Sequence, residues 1–305
     1  MNSFIRITIS GIVLMYSTVN HPDARSCTIV FAEQNNMVLT GANEDANNPN
    51  SKMWIVPATE DTYGRVCFGF DKEYKIAENG INDQGLFIDV NTLNIDTGWK
   101  PDPDKPDWEE WEGWFGTGVP DGILAKCATV REAIEIFQEY NLLTFAKIKY
   151  LLGDKTGESA VLEWSEDRLR IVHRDSHYQI STNFVSSNYH PQDYPCERYR
   201  IAEKILNQNA NHLSMDVIRA VLSATCFEYF SFSPTVYSIC FNLSTGDMRI
   251  YLFHNFEQPI QTNIFNELDK GAARYRLHDL FAIRSFCYFK LIVKSRGRRA
   301  ALPIN

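Results

Sequence analysis

The strongest constraint on this chain is a cysteine at the head of a strand. An apolar leader ends in Ala24-Arg25-Ser26, and the next residue, Cys27, opens the run "CTIVFA". The polar "EQNN" follows, then "MVLTGA", so Cys27 begins a β-hairpin. The leader has the build of a secretory signal: Arg6 as a short basic region, residues 7–19 as an apolar stretch, and small residues at Ala24 and Ser26. Cleavage there would make Cys27 the mature N-terminus, with a thiol and a free amine on one residue. Such a pair can do nucleophilic chemistry without a histidine, because the α-amine, with a pKa of about 7.7–8.0, is a suitable base for the thiol. Two other readings stay open, an acylated Cys27 and an uncleaved anchor, although the apolar stretch is short of the roughly 20 residues a span needs.

The rest of the chain reads as strand groups around helices. "RVCFGF" and "GLFIDVN" are buried strands, with "NGINDQG" as a turn and residues 99–120 as a long Pro-, Asp- and Trp-rich loop. Thr129 and Glu132 form a capping box for the helix "VREAIEIFQEY". "KIKYLLGD", "SAVLEW" and "LRIVH" are strands. "PCERYRIAEKILNQ" and "SMDVIRAVLSAT" are helices, the second capped by Ser214, and "TVYSICFNL" and "DMRIYLFHNF" make a hairpin around "STGD". This order predicts a layered α+β domain with antiparallel sheets, not a doubly wound fold. The boundaries are a signal peptide over 1–26, the domain over 27–280 and a basic tail over 281–305. From residue 271 onward there are eight basic residues and one acid, Asp279.

Charge narrows the partners. The formal net charge is −8, and loss of Arg6, Arg25 and Asp23 with the leader makes it −9, so nucleic acid is not the expected partner. The seven cysteines have no paired spacing, and several sit in apolar runs, so no disulfide framework is expected. His173 and His177 flank a strand turn and give no metal spacing; neither metal nor cofactor is expected.

A cysteine nucleophile of this kind needs an acid to hold its amine and neutral donors for the oxyanion. Asp45, 18 residues after Cys27 at the far end of the hairpin, is brought back beside its start, with Asn43 two residues earlier. The alternative for "NEDANNPN" is a plain polar turn. Trp108, Trp111 and Trp114, among four carboxylates, form either an aromatic lid over a substrate pocket or a loop packed on the core.

Together, the cysteine-headed strand, "GANED", "GINDQGLFIDVN", "ISTN", "PCERYRIAEKIL" and "TVYSICFNLSTGDMRIY" resemble the linear amide C–N hydrolases, which include choloylglycine (bile salt) hydrolases and penicillin V acylases. The resemblance spans residues 27–280. It implies a four-layer αββα N-terminal-nucleophile fold, with Cys27 as nucleophile and Asp45 holding its amine. It implies Asn183 as an oxyanion donor, Arg198 as a support, and a second donor at Asn91 or, one residue on, Thr92. Ala42 stands where bile salt hydrolases carry an arginine near the sulfur. The expected activity is an exported cysteine amidohydrolase acting on a small N-acyl amide, with homo-oligomerisation open. An acyltransferase using the same acyl-enzyme, or a lipid-anchored binding protein with a blocked Cys27, are the rivals.

Overall fold

The computed structural model describes residues 27–114, 116–227 and 233–281. The expectations for the leader, Cys287 and the basic tail beyond residue 281 lie outside these residues. β1 (Thr28–Gln34) and β2 (Met37–Asp45) form the opening hairpin, followed by β3 (Lys52–Val56), β4 (Arg65–Gly69), β5 (Asn79–Asn82) and β6 (Leu86–Thr92). Helices α1 (Val119–Lys126) and α2 (Val130–Glu139) precede β7 (Ile148–Asp154), β8 (Ser159–Ser165), β9 (Arg168–His173) and β10 (Tyr178–Ser181). Then come α3 (Glu197–Gln208), α4 (Met215–Thr225), β11 (Thr235–Asn242), β12 (Asp247–Leu252), β13 (Ile260–Asn263), α5 (Ile264–Leu268) and β14 (Ala273–Arg276).

The strands form two antiparallel sheets, one of six strands in the order β10-β1-β2-β11-β12-β13 and one of eight in the order β14-β3-β4-β5-β6-β7-β8-β9. Strand alternation sorts their side chains into layers. Ile29, Phe31, Ile239 and Phe241 of the first sheet meet Val66, Phe68, Phe87 and Leu151 of the second. On the outer face of the first sheet, Val30, Leu39 and Cys240 pack against Ala202, Leu206, Ile218 and Leu222 of α3 and α4. On the outer face of the second, Leu86, Ile88 and Leu152 pack against Ile123, Leu124, Val130 and Phe137 of α1 and α2. The architecture is the expected four-layer αββα sandwich.

Local chemistry explains the ends of these elements. The β1–β2 turn is Asn35–Asn36, both at positive φ (51° and 65°), the backbone a two-residue hairpin of this twist needs. Ser214 Oγ accepts from Val217 N at 3.3 Å to cap α4, and Thr129 caps α2 by accepting from Glu132 N. Each helix layer seats on a glycine: a Cβ on Gly41 would lie 2.5 Å from Ile218 of α4, and one on Gly80 would lie 2.8 Å from Leu124 of α1.

Two sequence expectations fail here. Residues 79–82 are a central strand, not part of a turn, and the turn is confined to 83–85. The buried Asn82 disguises it: its amide donates to Leu124 O (2.9 Å) and Cys127 O (2.7 Å), tying α1 to β5 with a residue type that reads as turn. The end of the supposed 99–120 loop also becomes α1, with Pro120 in its first turn. Asp121 anchors that helix to β4 through a buried two-point ion pair with Arg65 (2.8 and 3.1 Å).

Candidate active site

Cys27 sits just before β1, and β1 lies between β10 and β2, so both neighbours position it. Pairing of Thr28 with Asn43 sets Cys27 beside the Glu44–Asp45 end of β2. Its thiol is buried, with Sγ 3.6 Å from Glu44 Oε2, and it accepts the backbone N–H of Asp45. Burial, then Glu44 and Asp45, push the thiol well above its usual pKa. The resting group is therefore a thiol.

Asp45 is buried at the end of β2. Its Oδ1 accepts from Thr235 Oγ1 at 2.5 Å, while Oδ2 has no partner among the described residues. Burial raises its pKa to about 7, opposed by the Thr235 hydrogen bond and the nearby Arg198 charge.

The Cys27 carbonyl oxygen is gripped from two sides, by Arg198 Nη1 at 2.8 Å and Asn91 Nδ2 at 3.3 Å. Arg198 also donates to Thr28 Oγ1 (2.7 Å) and to Asn183 Oδ1 (3.0 Å), and Asn183 Nδ2 donates to Thr92 O at 2.8 Å. Asn91 in turn accepts from Ser181 of β10. Hydrogen bonds thus join Cys27, Asn91, Thr92, Asn183 and Arg198, while Asp45 reaches the same corner through Cys27. Asn43 goes elsewhere: it fastens β2 to α4 through Leu222 O and Thr225.

Cys27 and Asp45 open onto a cavity of about 240 Å³ lined also by Phe70, Glu78, Thr92 and Tyr150. Thr92 faces this cavity and Asn91 does not, because successive side chains of β6 point to opposite faces. Gly118, Val119 and Pro120 at the start of α1 complete a wall. No lysine, arginine or histidine lines it among the described residues. Asn183 and Arg198 line a separate hollow of about 700 Å³ with Phe184 and Phe227.

The tryptophans are not a lid. Trp108 and Trp111 are buried, 4.6 Å apart between ring centroids, and pack with Phe137 and Tyr140 at the C-terminal end of α2. Trp114 is exposed, and none of the three lines the Cys27 cavity. The six cysteines among the described residues are all free thiols.

Sequence reasoning missed Glu44, Asp89, Asn79 and Thr235. An acid inside an apolar strand, as in "GANED" and "LFIDVN", was the available signal, but only the sheet-to-sheet packing shows which acids meet.

Among solved structures, a variant of the conjugated bile acid hydrolase from Clostridium perfringens has a TM-score of 0.66 at 15% identity, covering 82% of this chain and 97% of its own. The chain shares the fold of that hydrolase. Penicillin V acylase from Agrobacterium tumefaciens shares it at a TM-score of 0.56 and 17% identity, over 77% of this chain and 84% of that one. A sequence profile for acyl-coenzyme A:6-aminopenicillanic acid acyl-transferase matches residues 122–257. No curated protein sequence matches. Ala42, which the resemblance matches to an arginine of bile salt hydrolases, is buried between the sheets, paired in register with Ile29 and Ile239.

Proposed function

We propose that this chain is exported, cleaved before Cys27, and acts as a cysteine amidohydrolase on a linear N-acyl amide. The observation that carries the reading is the buried Asp45 Oδ2, which has no partner among the described residues, in a side chain that lines the same cavity as Cys27. A buried carboxylate oxygen with no donor is costly, and an α-ammonium on Cys27 would supply both donor and charge. In the mechanism, the neutral amine takes the thiol proton as Sγ attacks the carbonyl carbon. It returns that proton to the leaving nitrogen as the C–N bond breaks, and water then releases the acid from the thioester. Asn183, through the second N–H of its amide, and the Thr92 segment are the donors for the oxyanion. Arg198 and Asn91 hold the Cys27 carbonyl and so fix the nucleophile's backbone.

The cavity's lining favours a neutral substrate. Its walls carry carboxyls at Asp45 and Glu78 with apolar Phe70, Val90, Val119 and Ile148. An apolar acyl group gains about 25 cal/mol per Å² buried there, while an anionic group meets like charge. Neutral N-acyl amides should therefore be cleaved in preference to taurine or glycine conjugates of bile acids.

The acyltransferase profile match favours a second reading, in which an amine rather than water accepts the acyl group. One experiment tests the proposal: N-terminal sequencing of the mature protein, followed by intact mass after mixing with a neutral N-acyl amide. A chain starting at Cys27 that gains the acyl mass on that residue supports it. A mature start elsewhere, or no acyl adduct and no turnover across acyl chain lengths, overturns it. Trapping with an added amine separates transfer from hydrolysis.

A further inference from the structure

Beneath the nucleophile, between the two sheets, two carboxyls meet with no cation. Glu44 on β2 and Asp89 on β6 are both fully enclosed and within electrostatic reach of one another across the layer. Asn79 Nδ2 donates to Glu44 Oε1 at 2.9 Å and also reaches Tyr237 Oη at 3.2 Å. Asp89 Oδ1 accepts from Val90 N at 2.6 Å. Asp89 Oδ2 is buried and has no hydrogen-bond partner among the described residues, so it can bond to Glu44 only if one of the two acids carries a proton. Among the described residues neither acid pairs with a lysine or arginine. The remaining ionisable groups that face Glu44 are Cys27 at the head of β1, Asp45 on β2, Glu78 ahead of β5 and Tyr237 on β11, and none is a cation. Two carboxyls this close in a dry layer cannot both ionise.

Glu44 Oε2 is also the oxygen that lies 3.6 Å from Cys27 Sγ. An ionised Glu44 there would oppose thiolate formation directly, whereas a neutral one is a hydrogen-bond partner to the sulfur.

We propose that Glu44 is a positioning residue for the nucleophile: it shares one proton with Asp89 and, kept neutral by that pairing, holds Cys27 Sγ without setting a second negative charge beside the thiolate. This rests on Cys27 being the nucleophile. The proton follows the charge, bridging the two acids while the sulfur is a thiol and turning toward the sulfur when it becomes a thiolate. Burial, and then the Asp89 charge, hold Glu44 well above the usual carboxylate range, as the pairing requires. Glu44 is thus tied to the nucleophile in the way a second acid of a carboxyl dyad is tied to the first.

The test reads the thiol and needs no substrate. Iodoacetamide labelling of the Cys27 peptide in the mature protein is followed by mass spectrometry across pH. Glu44→Gln, which keeps the shape and a neutral hydrogen-bonding group beside the sulfur, should leave the midpoint of Cys27 ionisation within about 0.3 unit of wild type. Asp89→Asn removes the partner that keeps Glu44 protonated, so Glu44 ionises at lower pH and the Cys27 midpoint should rise by about one unit, a roughly tenfold loss of thiolate at fixed pH, and adding Glu44→Gln should restore it. That rescue is not expected of two merely structural residues. A shifted midpoint in Glu44→Gln, an unmoved one in Asp89→Asn, or no rescue in the double variant overturns the proposal. Should either variant fail to fold, infrared spectra of the wild type decide. Above neutral pH, where Asp45 (about 7) has ionised, a protonated-carboxyl band should persist, and its absence overturns the proposal. If labelling behaves as expected but no amide is cleaved, the proposed activity fails and the Glu44 assignment stands.

Discussion

Two buried clusters of charge lie on the same face of the eight-stranded sheet and are built in opposite ways. On β7 and β8, Lys149 and Glu163 form a fully enclosed pair at 3.4 Å. Glu163 also accepts from Ser186 N, Ser187 N and Ser187 Oγ, and Lys149 donates to Phe184 O and Ser186 Oγ. Burial pushes the Glu163 carboxyl up, but Lys149 and the serine donors outweigh it and leave it below the ordinary range. One strand over, Asp89 and Glu44 face each other with no cation, and both are raised, by burial first. The first cluster has satisfied its ions and fixes the segment directly after Asn183. The second is left unneutralised beside the sulfur. The difference separates a paired cluster that holds a loop from two acids that face each other without a cation.

That contrast can be broken in several places. The largest expected effect is on the reactive side: Cys27→Ala should abolish turnover and Cys27→Ser should leave little, with unfolding curves unchanged, because an alkoxide is far harder to form than a thiolate. Wild-type rates in either variant would remove Cys27 from the reaction. On the structural side, Lys149→Met should destabilise by about 3–5 kcal/mol by stranding Glu163 without its cation. Denaturant melts measure this, and an activity loss without a stability loss would merge the two clusters.

Next is pH. In the uncleaved chain the folded-state pKa of Asp45, about 7, lies above its unfolded value near 3.8. The native state then holds the extra proton, so this stability is fully present below about pH 4 and is lost as pH rises to about 7, on the order of 4 kcal/mol. Asp45→Asn should flatten that slope, and so should cleavage that exposes the amine; a slope unchanged by Asp45→Asn contradicts the burial argument. Asn183→Ala should then cost about 10²–10³ in kcat, more than it raises KM. Full kcat in a folded variant would move the oxyanion hole away from Asn183. The smallest effect is Trp114→Ala, within about 0.5 kcal/mol and without change in KM, since that ring is exposed and away from the cavity.

Much of this was legible in the sequence, for stated reasons. The Cys27 hairpin, α3, α4 and the β11–β12 hairpin show clean periodicity, and Ser214 marks its helix. β5 was hidden because a buried Asn82 does the work of an apolar residue. α1 was hidden because "VPDGILAK" carries Pro, Asp and Gly and is held by Arg65, 56 positions away in sequence. The site divided along the same line. Cys27, Asn91, Asn183 and Arg198 are brought together, with Asp45 at the same corner. The grip of Asn91 on the Cys27 carbonyl and the Glu44–Asp89 pair depend on how two sheets stack, which no local pattern encodes. The lid reading of Trp108 and Trp111 failed because aromatic spacing does not reveal which face is covered.

The place of β1 in its sheet has a consequence for motion. A chain end is ordinarily the most frayed part of a domain. Here β1 is laced on one side to β10, with Ile29 opposite Ser181, and on the other to β2, with Thr28 opposite Asn43. An end created at Cys27 would be born already immobilised. The orientational entropy of bringing sulfur and amine to the substrate would then be spent in folding rather than at each turnover. Amide hydrogens of Ile29 to Phe31 should accordingly exchange as slowly as those of the sheet centre, making this the rare terminus that is among the last parts of the chain to open.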